Sequence, residues 1–244
     1  MPRYHLLFLI GLNIVFQKNV ASQSLPPDTE IYSAAKEHLL QLYVDSTREN
    51  LRLYNGTEFT AAYRSSLGHP FFAYSNPQAG KIFYDGILYT GVKLLYDIIR
   101  DDVIFINEFK NLNIKLIPKK ISWFTIQEHK IVQLSRDNNS INFPGNGFYE
   151  LLYEGPIAVF KKYKKQLYEP SKPDESAKYV QYDFYYVKKN NTYYPIDSKK
   201  ALLSVCKDRK NDITKFIHRE GLNFKQDPAT MIIKVIDYYL TTKK

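Results

Sequence analysis

The chain reads as an α+β domain. It carries a strongly twisted antiparallel sheet of roughly ten strands, a meander whose most curved form is a half-barrel. One helix precedes the sheet and a helical pair follows it. Three observations predict this. Between residues 81 and 196, β-rich runs recur every eight to twelve residues with turn residues between them. On both sides of that stretch the apolar period changes from two to three-to-four. The strands also come as one block followed by helices, not in alternation with them.

The first helix is expected over 28–50. Pro26-Pro27 ends a leader, and Asp28 or Thr29 caps the first amides. Ile31, Ala34, Ala35, His38, Leu39, Leu42 and Tyr43 then form an apolar stripe, and Asn55-Gly56 breaks the chain. Thr57 to Ala79 reads as a loop with Gly68-His-Pro70 and Ser75-Asn-Pro77 around Phe71-Phe-Ala-Tyr74. Rings in so long a connection are either tucked under a neighbour or functional, which makes Phe71 and Phe72 candidate binding residues.

The sheet is expected over 81–196. Asp85-Gly86 between Lys81–Tyr84 and Ile87–Thr90 is the strongest hairpin signal, because a type I′ turn needs positive φ at both central residues. Further turns are expected at Arg100-Asp-Asp102, Gln127-Glu-His129, Glu154-Gly-Pro156 and Asn190-Asn191, with a wide polar gap from Ser135 to Gly147. Lys119-Lys120 is too short a link for a helical crossover, so the runs that end at Ile117 and begin at Ile121 are expected as antiparallel neighbours.

Helices are expected over 198–242. Ser198 caps a stripe of Leu202, Val205, Cys206, Ile213, Phe216 and Ile217, whose phase slips near Asn211-Asp212 and so predicts a kink there. Gly221 is a C′ residue, and Asp227-Pro228 starts the last helix, with Met231, Ile232, Val235, Tyr238 and Tyr239 on one face.

The N-terminus has the form of a secretory signal peptide over 1–22. Arg3 and His5 precede the apolar run Leu6–Phe16, and Val20-Ala-Ser22 offers small residues for cleavage. The run is about half a bilayer span, so no transmembrane segment is expected after cleavage. No cysteine stands close behind the run to take a lipid. The remaining 23–244 is expected as a single domain, exported to the periplasm or beyond.

The formal charge is +9. Because the lysines are spread over the chain, this reads first as solubility and lysine-guarded strand edges. The partner readings are an anionic membrane surface or an acidic glycan, and for an exported protein nucleic acid is not expected. Cys206 is the only cysteine, so no internal disulfide forms. As a nucleophile it would need a histidine, and His218 is twelve positions away. His38, His69, His129 and His218 lack helical metal-site spacing, and no nucleophile-elbow, phosphate-loop or paired-cysteine motif occurs. No cofactor, metal or catalytic residue is therefore assigned. Asp85 is explained by its turn, and Asp101-Asp102 has too few neighbouring oxygens for calcium.

Two patterns carry binding potential. Lys161-Lys-Tyr-Lys-Lys165 places Lys161 and Lys165 on one side of a strand and Lys162 and Lys164 on the other. Such a strand projects beyond the core, guards a sheet edge or offers an anion patch. Tyr182, Phe184 and Tyr186 share one side of the next strand, with Asp183, Tyr185 and Val187 on the other. Two ring-bearing sides exceed the needs of a single core, so one side is a candidate contact surface.

Several strings in order, Leu53-Tyr-Asn-Gly-Thr-Glu-Phe59, Gly68-His-Pro-Phe-Phe72, Phe83-Tyr-Asp-Gly86, Leu95-Tyr-Asp97 and Gly147-Phe-Tyr-Glu150, are followed by Ser198-Lys-Lys-Ala-Leu-Leu203, Asp208–Ile217 and Leu222-Asn-Phe-Lys225. The set resembles uncharacterised secreted proteins of Bacteroidota. The resemblance implies a Gram-negative envelope and no particular activity.

The leading expectation is an exported, non-enzymatic binding or envelope-accessory protein. Its partner is unknown, with an envelope protein, a lipid or a glycan all compatible. The alternatives are a carrier holding an apolar ligand such as a lipid inside the curved sheet, and a hydrolase with a scattered site.

Overall fold

The computed structural model describes residues 35–37, 39–40, 52–60, 67–107, 111–172 and 175–242. Residues 35–37 and 39–40 are helical, within the span expected as the first helix. The rest of that span and the leader 1–22 lie outside the described residues.

The sheet has eleven strands, all antiparallel. They are β1 (Thr57–Glu58), β2 (Gln78–Tyr84), β3 (Ile87–Asp97), β4 (Asp102–Asn107), β5 (Leu112–Lys115), β6 (Ile121–Ile126), β7 (His129–Leu134), β8 (Gly147–Tyr153), β9 (Ile157–Tyr168), β10 (Lys178–Lys189) and β11 (Thr192–Ile196). Their order is β1-β5-β4-β3-β2-β6-β7-β8-β9-β10-β11, so the sheet is open with β1 and β11 at its edges. Two meanders, β2 to β5 and β6 to β11, join along β2 and β6.

Two expectations are corrected here. The stretch 57–79 is not wholly loop: Thr57-Glu58 pairs with β5, and β2 starts at Gln78. A two-residue strand is too short to show alternation, which is why the sequence hid it. The second correction concerns β5 and β6, which are not sheet neighbours. Pro118–Lys120 forms a 3-10 turn, and Lys120 O accepts from the Asp85 amide at 2.8 Å. Ile121 then pairs with Tyr84. The Ile117 amide donates to Tyr84 Oη at 3.4 Å, so the first meander curls until the end of β5 lies beside the end of β2.

The hairpin turns follow their residues. Asp85 and Gly86 have φ of 52° and 81°, and Asn190 and Asn191 have 48° and 59°, the left-handed pair a type I′ turn requires. Among the described residues, large rings pack together inside the curl. Tyr84, Tyr89, Tyr96, Phe124 and Phe148 are all buried there with Ile82, Leu94 and Ile121. Tyr96, Phe124 and Phe148 meet edge to face, with centroids 5.4 to 5.9 Å apart.

After β11 come α1 (Lys199–Val205), α2 (Lys210–Arg219) and α3 (Pro228–Thr241). Ser198 Oγ accepts from the Ala201 amide and Asp227 Oδ1 from the Thr230 amide, as caps. The expected pair is thus three segments, and the break lies earlier than Asn211-Asp212. Cys206 leaves helical geometry (φ −111°, ψ 34°) and a 3-10 turn, Lys207–Arg209, follows. Lys189 Nζ takes the Val205 carbonyl at 3.1 Å, satisfying a group that the broken helix leaves open. The helices pack Leu202, Val205, Ile213, Ile232 and Val235 against Ile157, Val159, Tyr185 and Val187, covering one side of β9 and β10. Among the described residues no helix is long and apolar enough to cross a membrane.

Candidate functional site

β9 and β10 pair in register along twelve residues each, the longest strands of the sheet. Residues directly opposite one another share a side. The odd-numbered side, with Ile157, Val159, Tyr185 and Val187, meets the helices. The even-numbered side faces away from them. On it the opposed pairs are Ala158/Lys188, Phe160/Tyr186, Lys162/Phe184, Lys164/Tyr182, Gln166/Val180 and Tyr168/Lys178.

The half of this ribbon nearest Tyr168 lies outside the helix-packed cluster. Leu67 bonds to it, its amide donating to Ala177 O at 2.8 Å and its carbonyl accepting from the Tyr179 amide at 3.1 Å. Gln181 to Phe184 are exposed in succession, on both sides of the strand. Tyr168, Tyr182 and Phe184 are 53, 47 and 41 % exposed. Lys164 Nζ stands 5.4 Å from the Phe184 ring centroid, and Lys178 Nζ 5.7 Å from that of Tyr168. The result is a ladder of rings and ammonium groups to which β9 and β10 contribute no carboxylate. Tyr186 is half-buried and meets Tyr149 edge to face at 6.0 Å.

Beyond Phe160 the same side opens into a groove of about 430 Å3. Val132, Leu151 and Phe160 floor it, and Glu154, Lys188 and Asn190 rim it. The gap loop 135–146 folds beside it, with Phe143 against Tyr193 at 5.5 Å and Tyr149 Oη donating to Gly145 O at 3.0 Å.

The four clustered lysines do not form one patch, because strand alternation divides them and most are engaged. β9 is an interior strand, so they do not guard an edge either. Lys161 pairs with Asp183 at 2.8 Å. Lys162 pairs with Asp101 at 2.8 Å. Lys165 Nζ donates to His69 O at 3.1 Å and to Phe71 O at 2.5 Å, and burial lowers its pKa. Lys164 has no ion pair among the described residues and stays on the ladder.

That Lys165 staple fixes the Phe71-Phe72 segment. Phe72 is buried in the concave core, 5.0 Å from the His129 ring and 4.9 Å from the Tyr163 ring. Phe71 is half-buried and stacks on His69 at 6.3 Å. Of the two candidate groups, then, Tyr182, Phe184, Tyr186, Lys162 and Lys164 share one surface, and Phe71, Phe72, Lys161 and Lys165 lie on the other side. Tyr168 and Lys178, which complete the ladder, were missed. Only the β9–β10 register places them there, and the Pro- and Ser-rich stretch 169–177 marks a connection without setting that register.

Two further constellations bear on chemistry. Glu150, a buried carboxylate, accepts from Tyr163 Oη and lies 2.5 Å from His129 Nδ1. Burial, then the Glu150 hydrogen bond, drives the Tyr163 hydroxyl far above its ordinary pKa. The other imidazole nitrogen faces Glu128 Oε1 at 3.6 Å, which is a carboxylate where a hydrolase would place a nucleophile. Cys206 is fully buried, and burial pushes its thiol up to about 11. Among the described residues no three His, Cys, Asp or Glu side chains are grouped to hold a metal ion. No protein-family model, curated protein or solved structure matches this chain.

Proposed function

We propose that this is an exported, non-enzymatic binding protein that holds an acidic carbohydrate chain along the outer side of the β9–β10 ribbon. One observation carries the reading: Tyr168, Tyr182 and Phe184 stay exposed beside Lys164 and Lys178 on a surface whose own strands supply no acid. Contiguous exposed ring area is costly unless a partner covers it. Side chains two apart on a strand recur at about 7 Å, so Tyr182, Phe184 and Tyr186 offer evenly spaced ring faces. Sugar rings present apolar C–H faces that stack on such rings, and carboxylate or sulfate groups meet the ammonium groups between them. Export rests on the tripartite segment 1–22, and the resemblance to secreted Bacteroidota proteins agrees with it.

The carrier alternative needs room inside the curl, and among the described residues Tyr84, Tyr89, Tyr96, Phe124 and Phe148 pack there. Surface binding is therefore the better supported reading. Affinity electrophoresis tests it directly. Polygalacturonate or chondroitin sulfate in the gel should retard the protein, and neutral dextran should not. Equal retardation by dextran would remove the acidic specificity, and retardation by single-stranded DNA alone would replace the glycan with a nucleic acid.

A further inference from the structure

The helix layer, on the other side of β9 and β10 from the ladder, has its own charge pattern. From Lys199 to Lys225 the chain holds eight basic residues and three acidic ones. All three acids are engaged. Asp208 Oδ2 accepts from Tyr239 Oη at 2.9 Å, Asp212 faces Arg209 at 3.3 Å, and Glu220 faces Arg219 at 3.2 Å. Lys199, Lys200, Lys207 and Lys210 are exposed and have no ion pair among the described residues.

These four lysines converge. With Leu203 and Ser204 they line an open groove of about 610 Å3. The break at Cys206 creates it: Lys199 and Lys200 open α1, Lys207 opens the turn that redirects the chain, and Lys210 opens α2. The Ser204 hydroxyl donates to Ala201 O at 2.6 Å, so its proton is used within the helix. No carboxylate lines the groove. Like charges a turn apart on a helical surface repel, and an anion seated among them removes that cost.

The lining contains lysine and no arginine. Arg209 and Arg219, the fork-shaped cations of this segment, hold Asp212 and Glu220 instead. Arginine suits planar, bidentate carboxylates, whereas compact ammonium groups on flexible stems suit clustered phosphate oxygens. We infer that the Lys199–Lys200–Lys207–Lys210 groove binds a ligand bearing two or more phosphate groups, either a soluble polyphosphate compound or a phospholipid headgroup.

Lysine acetylation footprinting of the whole protein tests this, with inorganic tripolyphosphate as the probe and sodium chloride at equal ionic strength as the reference. Acetylation of Lys199, Lys200, Lys207 and Lys210 should fall about tenfold when the probe stands at about ten times its Kd, as one-site occupancy requires. Lys81, Lys164 and Lys178 should be unaffected, which separates this site from the ladder. Lys200→Gln/Lys207→Gln, an exposed pair whose loss leaves the core intact, should abolish the protection of Lys199 and Lys210. The vesicle arm compares cardiolipin, whose headgroup carries two phosphates, with phosphatidylcholine. Protection by tripolyphosphate identifies a soluble ligand, and protection by cardiolipin vesicles alone identifies the headgroup. Protection by neither probe, uniform protection of all lysines, or equal protection by polygalacturonate at matched charge would overturn the inference.

Discussion

Lys162 Nζ lies 2.8 Å from both carboxylate oxygens of Asp101, sixty-one (61) positions earlier in the chain. The pair joins the two meanders, because Asp101 sits in the β3–β4 turn and Lys162 on β9. Tyr96 Oη donates to Asp101 Oδ1 at 2.5 Å, the Phe148 amide donates to Oδ2 at 3.3 Å, and Lys162 also donates to Phe148 O at 3.0 Å. Gly147 makes room: a Cβ there would sit 2.3 Å from Asp101 Oδ2, and its φ of 139° disfavours other residues.

The two halves of this pair should not be equally replaceable. Burial lowers the pKa of Lys162, against the pull of Asp101. Asp101→Ala leaves a desolvated ammonium with the Phe148 carbonyl and the Tyr149 ring face but no counter-charge, and should cost roughly 2 kcal/mol or more. Lys162→Met leaves Asp101 with Tyr96, the Phe148 amide and water, and should cost about 1 kcal/mol. Urea melts of both variants decide this. Equal costs would mean that the ion pair does not join the meanders as described.

The Asp85-Gly86 turn separates backbone from charge. A Cβ at Gly86 would meet nothing within 4 Å, so the cost of Gly86→Val comes from φ alone and should be about 1 kcal/mol or more. Asp85→Asn keeps the turn but removes contacts to Arg52 at 3.5 Å and Lys120 at 3.1 Å. Such half-exposed pairs contribute under about 1 kcal/mol, and the effect should vanish in 1 M salt. A salt-independent loss for Asp85→Asn would point to a role beyond the turn.

What the sequence made legible is local. Asp85-Gly86, Asn190-Asn191, Ser198, Asp227-Pro228 and Gly221 each act within a few residues of themselves, and each does in the fold what its chemistry suggests. The side shared by Tyr182, Phe184 and Tyr186 follows from the period of a strand and was equally readable. What was hidden depends on register and on curl. Nothing near Tyr84 announces that Ile121 pairs with it, and nothing near Lys162 names Asp101. Glu150, His129 and Tyr163 come together only because β7, β8 and β9 align. The Phe71-Phe72 segment showed that its rings needed a place, but not whether that place was a core or a partner.

Alkaline pH should unfold the protein cooperatively. Burial raises the hydroxyl pKa values of Tyr96, Tyr149 and Tyr163, with Asp101 adding at Tyr96 and Glu150 at Tyr163. These groups bind their protons more tightly when folded, so their contribution is complete below the unfolded value near 10 and is lost as pH rises through it. Cys206 acts with the same sign from about 8.5 in the unfolded chain to about 11 in the fold. Above pH 10 each such tyrosine should remove about 1.4 kcal/mol per pH unit. Tyr163→Phe should lower stability at pH 8, since Glu150 loses a donor, yet flatten the slope between pH 10 and 11. Denaturant melts at half-unit intervals measure that slope, and an unchanged slope would mean Tyr163 ionises freely in the fold.

The central claim is that the outer side of β9 and β10 is a contact surface, and a single calorimetric comparison tests it. Tyr182→Ala/Phe184→Ala removes two rings that are 47 and 41 % exposed and belong to none of the three packed clusters. Each substitution should change stability by no more than about 0.5 kcal/mol. Titration with polygalacturonate oligomers should show binding by the native protein and a loss of about tenfold or more in the variant, as for aromatic anchors at an interface. Binding of equal strength by a variant with an unchanged melting temperature, or no binding by the native protein, would contradict the account.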